Sequence, residues 1–170
     1  MIIYITGGAR SGKSHFAQQR ALQLHPNPVY VATAKIQDED FRQRVMRHQA
    51  DRGLEWRNYE AYRDLHLLPL QNQTVVIDCV TLWLTNFLAD HGNDLDRSLV
   101  AFKKEIDQLS QLPGTFLIVS NELGMGLHAA TDVGRKFTDL QGWANQYVAA
   151  KAGEAVLMVS GLPLYLKKQS

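Results

Sequence analysis

At 170 residues, with 45% hydrophobic and 21% charged residues, the chain is long enough to bury a core without staples and has the composition of an ordinary globular protein. A net charge of +1 gives no electrostatic case for nucleic acid or an anionic membrane as the main partner, and the single cysteine, Cys79, excludes an internal disulfide and suits a reducing compartment. No basic segment precedes the apolar opening, no signal-peptide cleavage pattern follows it, and no apolar run approaches the roughly 18 residues of a spanning helix, so the expectation is a cytoplasmic protein of one domain, residues 1–170, with no membrane span.

In chain order, Ile2–Thr6 reads as a strand and runs into the glycine-rich stretch Gly7–Ser14, after which a helical pattern begins. Val29–Thr33 is the next strand. The stretch Lys35–Asp64 is less regular, with many charges and then Trp56, Tyr59 and Tyr62, and reads as a helix plus an exposed excursion. Thr74–Asp78 is a strand, and Leu82–Leu88 is helical. In Arg97–Leu112 the apolar residues Leu99, Phe102, Ile106 and Leu109 recur at spacings of three and four, the stripe of an amphipathic helix packed on a sheet. Phe116–Asn121 is a strand. Val133, Phe137, Leu140, Ala144 and Tyr147 repeat the helical stripe, and Ala155–Val159 is again a strand. Gly161 and Pro163 mark a tight reversal into an edge strand, Leu162–Lys167. Most strands are apolar on consecutive positions, as strands buried on both faces are. Strands alternating with helices imply right-handed crossovers, hence an α/β, three-layer fold with a mostly parallel central sheet and a C-terminal edge strand.

Gly7, Gly8, Ala9, Arg10, Ser11, Gly12, Lys13 and Ser14 match G-x-x-x-x-G-K-[ST] in the required context, a strand before and a helix after. Glycines let backbone N–H groups turn inward around phosphate oxygens, and the helix that starts there points its positive end at the anion. Lys13 is placed to reach the β- and γ-phosphates of a nucleoside triphosphate, and the Ser14 hydroxyl to ligate Mg²⁺, which makes the fold a P-loop NTPase-type catalytic domain. Asp78 ends a buried apolar strand, where an acid is costly unless its charge is offset; a Mg²⁺ would do so, and the other reading is a helix N-cap for Leu82–Leu88. Glu122 ends another such strand on the edge where doubly wound sheets place ligands; it either assists the metal, holds guanine or ribose, or caps the turn at Gly124 and Gly126.

Of the six histidines, His48 stands apart. It lies in a basic helical stretch where Arg44, His48 and Arg52 are four residues apart and share one face, suited to an anionic ligand or simply solvated.

An ordered set of segments resembles the bifunctional adenosylcobinamide kinase / adenosylcobinamide-phosphate guanylyltransferase family. It comprises Thr6–Ser14, Tyr30–Ala34, Arg44, His48, Arg52 and Trp56 with Glu60 just beyond, then Asp78–Asn86 and Asn121–Gly126. Arg135, Phe137, Asp139, Gly142, Asn145 and Gln146 follow, and Val159–Leu164 closes the set. The likeness covers nearly the whole chain; it departs at Leu127-His128-Ala129, where the family has an apolar pair and proline, and at Gly53, where proline is common. The resemblance implies two reactions at one nucleotide site. A nucleoside triphosphate, ATP or GTP, phosphorylates the aminopropanol hydroxyl of adenosylcobinamide; GTP then gives GMP to that phosphate through a covalent histidine, the position of His48. It also implies nucleotide-binding roles for Arg44, Arg52 and Glu60, with Asp78 and Glu122 beside them, and a homo-oligomer. A neutral imidazole is a competent nucleophile near neutral pH, and two flanking arginines disfavour its protonated form.

The alternative enzyme is a simple P-loop small-molecule kinase, which needs Lys13 and Asp78 but no nucleophilic histidine. A nucleotide-driven switch would carry γ-phosphate-sensing loops that the sequence does not display, and a basic helix contacting RNA sits poorly with a net charge of +1. The aromatic stretch Trp56–Tyr62 suits either a subunit contact or the corrinoid.

Overall fold

The computed structural model describes residues 1–35 and 53–168. Arg44, His48 and Arg52 lie outside the described residues. Strands β1 (Ile2–Gly7), β2 (Val29–Ala32), β3 (Arg57–Glu60), β4 (Gln73–Asp78), β5 (Gly114–Val119), β6 (Glu154–Val159) and β7 (Leu162–Lys167) form one sheet in the order β3-β2-β4-β5-β1-β6-β7. Every pairing is parallel except β6 with β7. The helices are α1 (Lys13–Leu24), α2 (Val80–Asp90), α3 (Leu95–Gln111) and α4 (Asp132–Lys151), with a short 3₁₀ turn at Leu65–Leu67.

Alternation along the buried strands sorts side chains into two cores. Ile2, Tyr4, Val75, Ile77, Phe116 and Ile118 face one way and pack with Trp83 and Phe87 of α2, Phe102, Ile106 and Leu109 of α3, and Leu140, Ala144 and Val148 of α4. Ile3, Ile5, Val76, Leu117, Val119 and Val156 face the other way and meet Ala17 and Ala21 of α1. This is a three-layer α/β fold, as the sequence pattern predicts. The larger core is set by an edge-on aromatic contact, Trp83 to Phe102, with ring centres 5.3 Å apart.

Helix starts follow local chemistry. The Asp94 carboxylate accepts from the Arg97 N–H and caps α3; the Thr131 hydroxyl oxygen accepts from the Gly134 N–H and caps α4. Helix α1 has no side-chain cap, because Gly12 precedes it in the left-handed region with φ 93°. The predicted reversal at Gly161 is a two-residue turn with Ser160 at φ 51° and Gly161 at φ 82°, the twist that joins antiparallel strands tightly.

One element departs from the sequence reading. Arg57–Glu60, inside the stretch expected to be an exposed excursion, is strand β3, parallel to β2. It is an edge strand whose residues are mostly exposed, so it carries no apolar pattern to betray it.

Candidate active site

The carboxyl ends of the parallel strands bring the predicted residues that are described, Gly7–Ser14, Glu60, Asp78 and Glu122, to one edge. A single rung of the sheet runs through Glu60, Ala32, Asp78, Val119 and Ile5. With adjacent strands about 4.8 Å apart, Asp78 stands two strands, about 10 Å, from β1, and Glu60 two strands further out. The chain leaves β1 for β2 on one side of the sheet and leaves β5 for β6 on the other, so the crevice opens at the end of β1, where such sheets take ligands.

The loop after β1 fills that crevice. Gly7 has φ 151°, and a Cβ there would lie 2.5 Å from the Met158 carbonyl oxygen, so only glycine lets the chain leave β1 against β6. The loop is tied down from inside and outside. The Ser11 N–H donates to the Gly8 carbonyl at 3.3 Å, the Glu122 N–H to the Gly7 carbonyl at 2.9 Å, and the Gly161 N–H to the Ser11 carbonyl at 3.0 Å.

Lys13 is 7% exposed although charged. Its Nζ donates to the Gly8 carbonyl at 2.5 Å and to Ser11 Oγ at 3.4 Å, which folds the ammonium over the loop. Burial holds this ammonium below the usual lysine range, while the negative charge of Asp78 pulls it part of the way back. A buried cation with incomplete compensation is poised for a polyanion. Ser14 follows in the first turn of α1, half-buried.

Asp78 does not cap α2: that place belongs to Cys79, which makes no side-chain cap. The capping alternative for Asp78 is thereby removed. Its Oδ2 accepts instead from the Tyr30 hydroxyl at 2.9 Å. Sequence reasoning missed this partner; Tyr30 pairs in register with Val76, so its side chain shares a sheet face with the end of β4, and that register is visible only in the fold. Beneath Asp78, the Thr33 hydroxyl donates to the Cys79 carbonyl at 2.7 Å, and Asn86 Nδ2 donates to the Thr33 carbonyl at 2.7 Å. The Cys79 thiol is pushed up to about 12, first by burial and then by the adjacent Asp78 charge, which makes it inert rather than nucleophilic.

Glu122 caps no helix. Its Oε1 accepts from the Gly124 N–H at 2.8 Å and shapes the turn after β5. It lies near Tyr4, whose phenol is raised to about 12 chiefly by burial, with Glu122 adding to the rise and the Thr6 and Ser120 hydroxyls opposing it. A buried network fixes the turn from behind. Asn145 Nδ2 donates to the Asn121 carbonyl at 3.0 Å, and its Oδ1 accepts from Ser120 Oγ at 2.6 Å and from Gln141 Nε2 at 2.9 Å. Asn121 Nδ2 in turn donates to Thr81 Oγ1 at 2.9 Å. Gln141 was not singled out in the sequence; it reads there as one more polar residue on an amphipathic helix.

The residues that would hold Mg²⁺ are the Ser14 hydroxyl and the Asp78 carboxylate. Both are hard oxygen donors, and a single carboxylate plus substrate phosphates is the donor set this ion accepts. Among the described residues no cluster of three or more His, Cys, Asp or Glu could hold a metal without a ligand's help. No helix among them is long and apolar enough to cross a membrane.

A mostly parallel α/β sheet with a glycine-lysine-serine loop at the carboxyl end of β1 defines a P-loop-type nucleotide-binding protein. Residues 3–166 match the family described as cobinamide kinase / cobinamide phosphate guanyltransferase, and the chain belongs to that enzyme family. It is 35% identical to the bifunctional adenosylcobalamin biosynthesis protein CobU of Escherichia coli, over 98% of this chain and 100% of that protein. It is also 35% identical to the CobP protein of the same description from Pseudomonas aeruginosa, over 96% of this chain and 95% of that protein. The CobU protein of Salmonella typhimurium is 33% identical over 98% and 100% respectively.

Proposed function

We propose that this chain phosphorylates adenosylcobinamide with ATP or GTP and then transfers GMP from GTP to the product, through a guanylylated His48. The observation that carries the reading is the buried Lys13 ammonium folded over a braced glycine loop, in a chain matched along almost its whole length by a family named for both activities.

In the kinase step the substrate hydroxyl oxygen attacks the γ-phosphorus, the bond to the β-phosphate oxygen breaks, and the hydroxyl proton is lost to solvent. Lys13 and the N–H groups at the start of α1 hold the phosphates in line, which is most of what such a transfer needs. Bound Mg²⁺ would offset charge on the leaving phosphates, with Ser14 and Asp78 as its ligands. Tyr30 holds the Asp78 carboxylate in one orientation.

In the transferase step a neutral His48 nitrogen attacks the α-phosphorus of GTP, and the bond to the β-phosphate oxygen breaks to release pyrophosphate. A phosphate oxygen of adenosylcobinamide phosphate then attacks the same phosphorus, the phosphorus–nitrogen bond breaks, and the imidazole is restored. One difficult displacement becomes two easier ones. Arg44 and Arg52, each four residues from His48 in the sequence, steady the phosphates and keep the imidazole neutral. Glu60 and Glu122, both at the carboxyl edge of the sheet, serve the nucleoside end of the ligand. We further propose a cytoplasmic, single-domain homo-oligomer. The exposed apolar side chains Leu162, Leu164 and Leu166 on β7 support an additional subunit contact.

The test is covalent labelling. Protein incubated with Mg²⁺ and GTP labelled at the α-phosphate, then denatured, should retain an acid-labile, base-stable adduct that is absent from His48→Ala. GTP binding without any adduct would leave a simple P-loop kinase as the better reading.

A further inference from the structure

We infer that the two-residue turn between β6 and β7, Ser160-Gly161, is a positioning element of the phosphate site: its Gly161 N–H aims the Gly12 N–H at the bound phosphates. The inference rests on the phosphate-loop reading of Gly7–Ser14 and extends it to a segment 147 residues beyond the motif's last member but one, Lys13 to Ser160.

A trans peptide is planar, and its carbonyl and its N–H point in opposite directions. The Ser11 carbonyl accepts from the Gly161 N–H at 3.0 Å, so the Ser11–Gly12 peptide has its oxygen turned toward the hairpin. The N–H of the same peptide, that of Gly12, therefore points away from the hairpin, the direction in which the phosphate-loop reading puts the bound phosphates. Without the brace this peptide is free to rotate and present its carbonyl, an acceptor that would repel a phosphate.

The contact is also sterically exact enough to constrain both partners. A Cβ on Gly12 would stand 3.2 Å from the Gly161 Cα, so the turn packs directly on the loop. Gly12 itself sits at φ 93° as the residue before α1, which leaves its orientation to be set by what surrounds it. The brace depends on Gly161 keeping φ 82°, a left-handed conformation, whereas a Cβ added there meets nothing within 4 Å. Side-chain bulk is tolerated at this position and backbone conformation is not. An L-residue that relaxes toward negative φ swings its N–H off the Ser11 oxygen; asparagine, which enters the left-handed region more readily, keeps it there.

The experiment compares Gly161→Asn, Gly161→Ala and Gly161→Val with wild type. It measures the dissociation constants for GTP, for inorganic pyrophosphate, and for guanosine as a phosphate-free control. Losing one charge-assisted N–H contact should weaken GTP and pyrophosphate about tenfold in Gly161→Val and less in Gly161→Ala, with Gly161→Asn close to wild type and guanosine unchanged throughout. A purely structural role would lower the melting temperature and weaken all three ligands together, or none. Gly161→Val that is folded and binds pyrophosphate as tightly as wild type overturns the inference, and Gly161→Asn decides the matter in the same way if the valine variant fails to fold, since loss of binding there contradicts the conformational argument. Wild-type protein that binds neither GTP nor pyrophosphate overturns the phosphate-loop reading itself.

Discussion

Lys13 shows how far a single residue is shaped by its future ligand. Its side chain is buried, and burial lowers its affinity for a proton below that of an ordinary lysine. Its folded-state value lies below its unfolded one, so the unfolded chain binds more protons between the two. Stability therefore rises with pH through that window, up to the ordinary lysine value, and carries the full cost at neutral pH. Lys13→Met removes the cost and keeps the stem. We expect the free variant to melt about 2–4 °C higher than wild type at neutral pH, to lose the alkaline rise in stability, and to lose at least about 100-fold in both activities. Calorimetry from pH 7 to 10 and initial rates check both halves. A lower melting temperature would mean that the bonds to Gly8 and Ser11 outweigh the desolvation. The motif made Lys13 legible from sequence, and the strand ending made Asp78 legible; Tyr30 was not, because a tyrosine in a buried strand reads as core until its hydroxyl is seen on the Asp78 carboxylate.

Elements made of buried apolar runs were readable, whereas an exposed edge strand was readable only where turn residues announce it. Five strands announce themselves by short apolar runs, the two amphipathic helices by period, and β7 by the glycine and proline that turn the chain. Strand β3 escaped because an exposed edge strand asks nothing of its side chains, and the Lys35–Asp64 stretch was read by its charges. The turn after β5 shows a further limit. Its place is fixed by Asn145, through bonds to Ser120, Gln141 and the Asn121 carbonyl, and pairwise hydrogen bonding has no sequence period. Asn145→Ala leaves the buried Ser120 hydroxyl proton and the Asn121 carbonyl without these partners, while Gln141 Nε2 keeps its bond to Ser120 Oγ. That should cost about 2–3 kcal/mol and lower the melting temperature by about 5–10 °C. Ser120→Ala should cost less, and the double variant less than the sum by about 1 kcal/mol, because the two side chains bond each other. Strict additivity in thermal melts would show that the network is not one unit.

For the whole molecule, the described residues hold one phosphate loop while the family is named for two nucleotide reactions. If both reactions use Gly7–Ser14, a chain cannot hold the kinase nucleotide and the transferase nucleotide together, and the reactions must alternate. A β,γ-imido analogue of ATP, which occupies the loop but cannot give up its γ-phosphate by hydrolysis, should then compete with GTP for adduct formation on His48. Raising the analogue at fixed labelled GTP should drive the adduct to background. The half-point should rise linearly with GTP, as simple competition requires, and GTP should raise the melting temperature of wild type but not of Lys13→Met. A plateau of label that excess analogue does not displace would place the transferase nucleotide on a second site, and Lys13→Met would then retain labelling while losing kinase activity. The sheet favours the first outcome. Among the described residues the end of β1 opens on the braced loop Gly7–Ser14, and the residues proposed for the nucleoside, Glu60 and Glu122, lie along the same edge.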